Sequence, residues 1–267
     1  MAENGKSALE RILASKAAEV EVLEAQRPLD DWRRLAEDAP PPRDFLGALA
    51  KAGHAPIIAE IKRRSPSAGT LGEDADPAAR ALAYARGGAA ALSVLTDGPF
   101  FGGSLADLDA ARRAVGLPVL RKDFTIAPAQ VYEARAAGAD AVLLIAAALE
   151  PSLLGELYER AREVGMTVLV EVHHERELIA ALAPRPRLVG INNRDLTSLA
   201  VDLDTCLRVR RRIPSGPLVV AESGIEGPED IKRLSAGGLD AFLIGTTLMR
   251  AADPGQAIAA LKAAGRP

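Results

Sequence analysis

Short apolar stretches recur along the chain from residue 56 onward, and segments with apolar residues at helical spacing lie between them. The short stretches are typical of buried strands, and the longer ones of helices that pack on a sheet. Strands are predicted over 56–62, 90–96, 118–122, 141–146, 167–172, 188–192, 217–222 and 241–245. Helices are predicted over 77–87, 104–115, 128–137, 151–164, 174–182, 203–212, 228–236 and 254–264.

This alternation predicts an α/β fold with a parallel sheet. Strand starts lie roughly 21 to 34 residues apart, the spacing of a strand plus a returning helix. Proline at the first helical position marks several helix starts, as in Asp76-Pro77 and Asp253-Pro254. Eight such units can form a closed barrel or a large doubly wound sheet. The count of eight, the lack of a strand left for an antiparallel edge and the lack of a Gly-rich dinucleotide motif favour a (β/α)8 TIM barrel.

Residues 1–52 precede the first strand and carry helical patterns of their own. These patterns predict helices over 6–26, 30–37 and 44–52. The segment is too small to bury a separate core, so it is expected to pack as an N-terminal helical extension on the eight βα units of 56–264. The expected organisation is therefore a single barrel domain over 1–267.

Composition changes this picture mainly by exclusion. The 267-residue chain is 48% hydrophobic and has a net charge of −3, so neither nucleic acid nor a membrane is an expected partner. Cys206 is the only cysteine, which excludes an internal disulfide and suits a reducing compartment. The N-terminus lacks the pattern of a secretory signal, and no run approaches the ~20 apolar residues that cross a bilayer. We therefore expect a cytoplasmic protein.

The first predicted strand carries two charges at its C-terminal end. Side chains two residues apart point the same way in a strand, so Ile58, Glu60 and Lys62 share one face. Unpaired buried charge is costly, so a partner, water or a ligand must compensate this pair.

Polar residues stand at the C-terminal ends of most other strands as well. In a (β/α)8 barrel these ends surround one open mouth, where the chemistry takes place. The later tips carry Thr96-Asp97, Lys122, Glu171, Asn192 with Arg194, Glu222-Ser223-Gly224 and Gly245-Thr246, while the fourth strand ends apolar. We therefore expect these side chains to converge on a single site.

The last two tips are typical of a phosphate site. Loops after the seventh and eighth strands of such barrels often bind phosphate through backbone N–H groups. Ser223 with Gly224, and Gly245 with Thr246, supply hydroxyls and glycines that let the backbone approach an anion. Alternatively the two glycines only form turns, but their pairing at these two tips favours phosphate.

Lys122 is the candidate proton donor. Its position in a low-dielectric mouth beside a second cation, Lys62, predicts a lowered pKa that suits proton donation near neutral pH. Glu60 and Glu171 are candidate proton acceptors. The alternative is that these glutamates only neutralise the lysines in structural ion pairs.

Other residues near the tips allow two interpretations each. Arg194 with Asn192 could hold a substrate carboxylate or hydroxyls, or Arg194 could pair with Asp195 or Asp97 across the loops. Phe101 and Phe124 either pack or cover an aromatic substrate. The adjacent His173 and His174 point apart and lack a ligand spacing, so no metal site is expected.

Set side by side, these motifs closely resemble the indole-3-glycerol phosphate synthases of tryptophan biosynthesis. The stretch IIAEIKRRSPSAGTL at 57–71 matches the signature segment of that family, and the match covers essentially the whole chain. The later motifs are SVLTD (93–97) followed by FFGGS, RKDF (121–124), VEVH (170–173), GINNRDL (190–196), AESGI (221–225) and IGTTLM (244–249). The resemblance implies a barrel with an N-terminal helical extension. It also implies ring closure of 1-(2-carboxyphenylamino)-1-deoxyribulose 5-phosphate to indole-3-glycerol phosphate, with loss of CO2 and water.

The resemblance further implies roles for single residues. Lys122 would be the general acid at the carbonyl, and Lys62 would face the carboxylate and could donate a proton in the dehydration. The acid/base carboxylates would be Glu60 and Glu171, with Asn192, Glu222 and Arg194 orienting the reacting chain. Ser65, Ser223, Gly224, Gly245 and Thr246 would be ligand-side loop positions, mostly for phosphate, and Phe101 and Phe124 would border the aromatic ring. No cofactor or metal is implied.

The expected partner is thus a small phosphorylated substrate, bound by a monomer or a dimer. Three other functions fit such a barrel: an isomerase like phosphoribosylanthranilate isomerase, a Schiff-base lyase with Lys122 or Lys62 as nucleophile, and a non-catalytic sensor of a phosphorylated ligand. The isomerase has no use for the Glu60–Lys62 pair. A non-catalytic sensor would have a decayed active site, which should have lost some of the polar residues at the strand ends.

Overall fold

Eight parallel strands close into a barrel in the computed structural model, which describes residues 7–72 and 75–265. The barrel strands are β1 (Ile57–Ile61), β2 (Ala91–Leu95), β3 (Val119–Lys122), β4 (Ala141–Ile145), β5 (Thr167–Val172), β6 (Leu188–Asn192), β7 (Leu218–Glu222) and β8 (Ala241–Ile244). Each strand pairs with the next one in the chain, and β8 pairs with β1. The predicted (β/α)8 barrel is therefore confirmed.

Helices follow the strands in the predicted order. The N-terminal extension contains α1 (Ala8–Gln26), α2 (Leu29–Asp38) and α3 (Phe45–Lys51). The remaining helices are α4 (Pro77–Arg86), α5 (Leu105–Ala114), α6 (Pro128–Ala136), α7 (Pro151–Glu163), α8 (Leu178–Leu182), α9 (Asp204–Arg210), α10 (Pro228–Ala236), α11 (Thr246–Arg250) and α12 (Pro254–Ala264). Within the described ranges, no helix has both the length and the apolar character needed to cross a membrane.

The extension starts at a well-defined cap. The helix predicted over 6–26 begins at Lys6, which lies outside the described residues, whereas the observed helix begins at Ala8. The Ser7 hydroxyl accepts a hydrogen bond from the Glu10 N–H, and the Glu10 carboxylate accepts one from the Ser7 N–H. This capping box satisfies two backbone donors that the first helical turn would otherwise leave unpaired.

Several local elements differ from the predicted pattern, among them a 3₁₀ turn at Ala146–Ala148 directly after β4. The helix predicted over 174–182 is a 3₁₀ turn, Glu175–Glu177, followed by the short α8. A small hairpin pairs Arg64–Ser65 with Gly69–Thr70 in the loop after β1, and α11 directly follows β8. The hairpin and α11 were not predicted, because elements this short do not show a hydrophobic period.

Alternation along the strands divides the core into two layers. Ile58 lies in the inner layer with the inward-facing residues of the other strands, whereas Ile57 and Ala59 lie in the outer layer between the strands and the helices. The inner layer includes Leu120, Leu143, Leu169, Leu188, Val220 and Leu243. Because side chains alternate in a strand, Glu60 follows Ile58 onto the inner face, as the period of two predicts.

The extension contacts both ends of the barrel. α3 buries Phe45 and Leu49 in the inner core layer, and Arg43 donates to the carbonyls of Val115 and Leu117, just before β3. These contacts lie at the N-terminal ends of the strands. At the opposite end, Ile12 of α1 belongs to the same buried cluster as Phe124, which follows β3.

Asp140 joins the extension to the barrel at the N-terminal end. Its fully buried carboxylate accepts hydrogen bonds from the N–H groups of Arg43 and Val119, both at 2.8 Å, and from the Arg112 guanidinium at 3.3 Å. Removing a buried acceptor leaves several donors without a partner, which costs more than the loss of a solvent-exposed contact.

Asp140→Ala should therefore lower the free energy of unfolding by about 2–4 kcal/mol. Because Asp140 connects the two regions, we propose that extension and barrel form one domain and unfold in one transition. Urea denaturation followed by circular dichroism measures both quantities. Asp109→Ala is the control, since Asp109 and its partner Arg113 are exposed on α5 and the variant should leave the urea midpoint almost unchanged. Separate transitions of extension and barrel would contradict the proposal.

Candidate active site

A cavity of about 1070 Å³ opens at the C-terminal ends of the barrel strands. Its lining includes every residue predicted to act on or bind the substrate: Glu60, Lys62, Ser65, Phe101, Lys122, Phe124, Glu171, Asn192, Arg194, Glu222, Ser223, Gly224, Gly245 and Thr246. These residues come from seven of the eight strand ends, which the closed barrel brings to one mouth. The structure thus brings the predicted residues together, while their chemical roles remain predictions.

Lys122 lies at the centre of the charged part of this cavity. Its Nζ donates to Glu171 Oε2 at 2.6 Å and to Glu222 Oε2 at 3.0 Å. The side chains of both glutamates are 1% exposed, and that of Lys122 is 13% exposed. Asn192 Nδ2 donates to the other Glu171 oxygen at 3.2 Å. The group is therefore a buried ammonium shared by two carboxylates.

The predicted lowering of the Lys122 pKa is wrong. Burial does lower this pKa, but the charges of Glu171, Glu222 and Glu60 raise it by more than burial lowers it, so the net pKa lies above the ordinary lysine value. The second cation, Lys62, is itself held by Glu60 at 2.7 Å. The sequence placed the two lysines near each other but did not show how closely the carboxylates would surround Lys122.

The two glutamates that share Lys122 differ in their affinity for protons. Burial raises the pKa of Glu171, but the charges of Lys122 and His173 outweigh burial and hold it well below its usual range. Burial likewise raises the pKa of Glu222; the charge of Lys122 lowers it, but the charge of Glu171 adds to burial, so the net pKa is above the ordinary value. One ammonium thus contacts an ionised carboxylate and a carboxyl group that retains its proton more readily.

Glycines make room for two of the carboxylates. A Cβ at Gly190 of β6 would collide with Glu222 Oε1, and a Cβ at Gly245 would collide with Glu60 Oε1. Gly245 is therefore more than a turn residue, because any side chain there would displace a buried carboxylate. Glu222 Oε1 itself is buried and has no hydrogen-bond partner among the described residues.

The loops after β7 and β8 form the other polar part of the cavity. Ser223 and Gly224 have φ values of +64° and +79°, so both adopt the left-handed conformation. Gly245 precedes α11, and the Thr247 hydroxyl donates to the Ile225 carbonyl at 2.6 Å, which joins the two loops. Successive N–H groups in such loops can surround an anion.

Apolar side chains line the remaining part of the cavity. The rings of Phe101 and Phe124 lie 6.2 Å apart between centroids, with an interplanar angle of 37°. Leu9 and Ile12 of α1 lie in the same lining. These two residues were not predicted to belong to the site, although their spacing on the apolar face of a predicted helix is a signal that could have indicated them.

Two residues at strand tips have other contacts. Asp97 does not line the cavity, because it is fully buried beside Lys16 of α1 at 3.1 Å. Arg194 lines the cavity and donates to the Leu199 carbonyl at 2.8 Å, and it forms no ion pair within the described ranges. The alternative pairing of Arg194 with Asp195 or Asp97 is therefore wrong.

His173 lies behind Glu171 and was not predicted to be part of the site. It is 3% exposed, with Nε2 at 3.2 Å from Glu171 Oε1 and Nδ1 at 3.7 Å from Glu177 Oε2. Burial lowers the pKa of His173, but contacts with Glu171 and Glu177 outweigh it and raise the pKa to about 9. Its neighbour His174 points away and is half exposed. A charged His173 thus supports the ionised state of Glu171.

His173 should stabilise the fold mainly at acidic and neutral pH. Its pKa rises from 6.5 to about 9 on folding, so the stabilisation is complete below pH 6.5 and is lost as the pH rises through about 9. The stability difference between wild type and His173→Asn should shrink over this interval by at most about 3 kcal/mol. Urea denaturation at a series of pH values measures it, with His174→Asn as the exposed control. A difference that stays constant with pH would contradict the prediction.

Comparison with known proteins gives a consistent assignment. A model of the family described as indole-3-glycerol phosphate synthase matches residues 9–261. An indole-3-glycerol phosphate synthase of Parafrankia sp. (strain EAN1pec) is 52% identical over 260 residues, which cover 97% of this chain and 96% of that protein. The synthase of Aromatoleum aromaticum is 51% identical, covering 95% of this chain and 98% of that protein.

A solved structure extends the comparison to the fold alone. Thiamine phosphate pyrophosphorylase from Pyrococcus furiosus superposes with a TM-score of 0.58 at 17% identity, covering 79% of this chain and 94% of that chain. A shared barrel at this identity says nothing about a shared reaction. The family model and the relatives of about 50% identity cover nearly the whole chain, and they show that the chain belongs to the indole-3-glycerol phosphate synthase family.

Proposed function

We propose that the cavity at the C-terminal ends of the strands is the active site for the reaction of this family. Its members are decarboxylating lyases of tryptophan biosynthesis. The reaction closes the ring of 1-(2-carboxyphenylamino)-1-deoxyribulose 5-phosphate, giving indole-3-glycerol phosphate, CO2 and water. The observation that supports this site most directly is the Lys122 ammonium held between Glu171 and Glu222 at the base of the cavity.

The lining suits the parts of this substrate. Glycines and hydroxyls of the loops after β7 and β8, at Ser223–Gly224 and Gly245–Thr246, offer an anion site for the phosphate. Phe101 and Phe124 offer an apolar wall for the benzoate ring. Lys62 provides a positive charge for the ring carboxylate, and Arg194 lies in the same cavity lining.

Ring closure needs a keto carbon that accepts electrons. The ring carbon that bears the carboxylate attacks the keto carbon, and the keto oxygen takes a proton from the Lys122 ammonium as the C–C bond forms. CO2 then leaves, and its bonding electrons restore the aromatic ring. Lys122 can supply this proton even though its pKa is raised, because the developing alkoxide is far more basic than the carbonyl.

Dehydration then completes the pyrrole ring. The new hydroxyl leaves as water after taking a proton, and the carbon next to nitrogen loses a proton to a carboxylate. Glu171, whose pKa is held low, and Glu60, which pairs with Lys62, are the candidate acceptors of that proton, and Lys62 is the candidate donor to the leaving hydroxyl. Glu222, which retains a proton more readily, and Asn192 can orient the substrate hydroxyls by hydrogen bonds.

We also propose that the partner is this small phosphorylated molecule and that the chain acts in the cytoplasm. The residues with proposed roles all line one cavity of this chain. Burial raises the pKa of the Cys206 thiol to about 12, and such an unreactive, unpaired thiol suits a reducing compartment.

Lys122→Met should lower kcat by about a hundredfold to ten-thousandfold while substrate still binds, because it removes the proposed proton donor. Indole fluorescence follows turnover, and calorimetry measures binding. Lys232→Met on the exposed face of α10 is the control and should leave kcat unchanged. Undiminished turnover in Lys122→Met would exclude the proposed role. Borohydride trapping of a substrate adduct on Lys122 would favour Schiff-base chemistry instead.

Changes at the proposed phosphate loops should act mainly on substrate affinity. The double variant Ser223→Ala/Thr246→Ala should raise KM several-fold and leave kcat within about threefold, since neither hydroxyl contacts the Lys122 group. Steady-state kinetics measure both constants, with Thr197→Ala in an exposed loop as the control. A fall in kcat at unchanged KM would contradict this assignment.

A further inference from the structure

A lysine of the N-terminal extension is buried against a residue that lines the cavity. Lys16 of α1 is 1% exposed, and its Nζ lies 2.9 Å from Asp123 Oδ1 and 3.1 Å from Asp97 Oδ2. A third carboxylate, that of the half-exposed Glu19, lies at 2.6 Å. Burial lowers the pKa of Lys16, but the charges of Asp123, Glu19 and Asp97 outweigh burial, so the side chain stays an ammonium ion. The buried pairs connect α1 to the ends of β2 and β3.

Each of the two buried aspartates also holds an aromatic residue of the cavity wall. Asp97 Oδ1 accepts hydrogen bonds from the N–H groups of Phe100 at 2.8 Å and Phe101 at 3.2 Å. Asp123 Oδ1 accepts one from the Phe124 N–H at 2.8 Å. The backbone N–H groups of Phe101 and Phe124, whose rings line the cavity, are therefore held by the same two carboxylates that Lys16 contacts.

The face of α1 that carries Lys16 also contributes to the wall directly. Leu9 and Ile12 line the cavity. Ile12 follows Leu9 by three residues and Lys16 follows Leu9 by seven, so all three lie along one helical face. Three separate segments, α1 and the loops after β2 and β3, thus form one apolar surface. Their only shared charged contact is the Lys16 ammonium, as far as the described part of the chain extends.

We propose that Lys16 is a positioning residue for aromatic-ring recognition, which holds α1, Phe101 and Phe124 in register as one wall. The ring it serves is the benzoate ring of the substrate, so the inference rests on the proposed function. A wall that is already assembled before binding does not lose conformational freedom when the ring enters, which favours affinity. Lys16 does not touch the Lys122 group, so its effect should fall on binding rather than on proton transfer.

The variant must remove the contact without leaving a buried charge unpaired. Lys16→Met alone would leave Asp97 without a cation and could fail to fold. Lys16→Met/Asp97→Asn avoids this, because an amide oxygen at position 97 can still accept from the Phe100 and Phe101 N–H groups. Asp123 keeps the Arg121 guanidinium at 3.2 Å and the Thr96 hydroxyl at 2.5 Å. Glu19→Gln is the matched control, since it removes only the half-exposed partner of Lys16.

Calorimetry on the full chain measures binding to the two parts of the cavity separately. Anthranilate probes the aromatic wall, and inorganic phosphate probes the loops after β7 and β8. The double variant should bind anthranilate about tenfold more weakly and bind phosphate within about twofold of wild type. With the complete substrate, KM should rise about tenfold and kcat should change less than about threefold. Glu19→Gln should match wild type in all four quantities.

Other outcomes would overturn the inference. Unchanged anthranilate affinity in a folded double variant would mean that Lys16 only stabilises the fold. An equal loss of affinity for anthranilate and for phosphate would mean that α1 supports the whole cavity rather than the ring wall. If the wild type binds no anthranilate, ring recognition at this wall is excluded. Failure of the proposed function looks different, because wild type would then bind the probes and not turn over the substrate.

Discussion

The site depends on one electrostatic constraint, which is that an ammonium ion in the barrel mouth must be compensated by carboxylates buried with it. Lys122 meets this condition mainly through Glu171 at 2.6 Å and donates a second hydrogen bond to Glu222 at 3.0 Å, and the side chains of both glutamates are almost completely buried. Their shared cation does not make the two acids equivalent. His173 adds positive charge beside Glu171, while Glu222 is buried beside the charge of Glu171, so one carboxylate stays ionised and the other tends to keep its proton.

Barrel geometry explains why these charges meet. Glu60, Lys122, Glu171 and Glu222 stand at the ends of β1, β3, β5 and β7, and in eight-stranded barrels alternate strands contribute to one layer of inward side chains. The strand between the last two carries Gly190, which leaves the space that Glu222 occupies. A closed parallel sheet therefore converts residues distant in the chain into one compact charged group, and the same closure brings the loops after β7 and β8 beside it.

The N-terminal extension completes the apolar half of the cavity and also seals the opposite end of the barrel. α3 and Arg43 cover the N-terminal ends of the strands, whereas α1 brings Leu9 and Ile12 to the mouth. Local pattern identified the helices as an extension that packs on the barrel. It did not show that Lys16, on the inner face of α1, reaches two carboxylates after β2 and β3, because those contacts join residues more than 80 positions apart.

Sequence alone determined the order of strands and helices, the (β/α)8 architecture and the polar residues at the strand tips, because hydrophobic period, proline and glycine are local signals. It also identified the family, through motifs such as that of 57–71. Only the tertiary structure decided that Asp97 serves Lys16 rather than the cavity, that His173 supports Glu171 and that the Lys122 pKa is raised. The physical reason is that a pKa or an ion pair depends on distances and burial summed over all neighbours, which chain spacing does not specify.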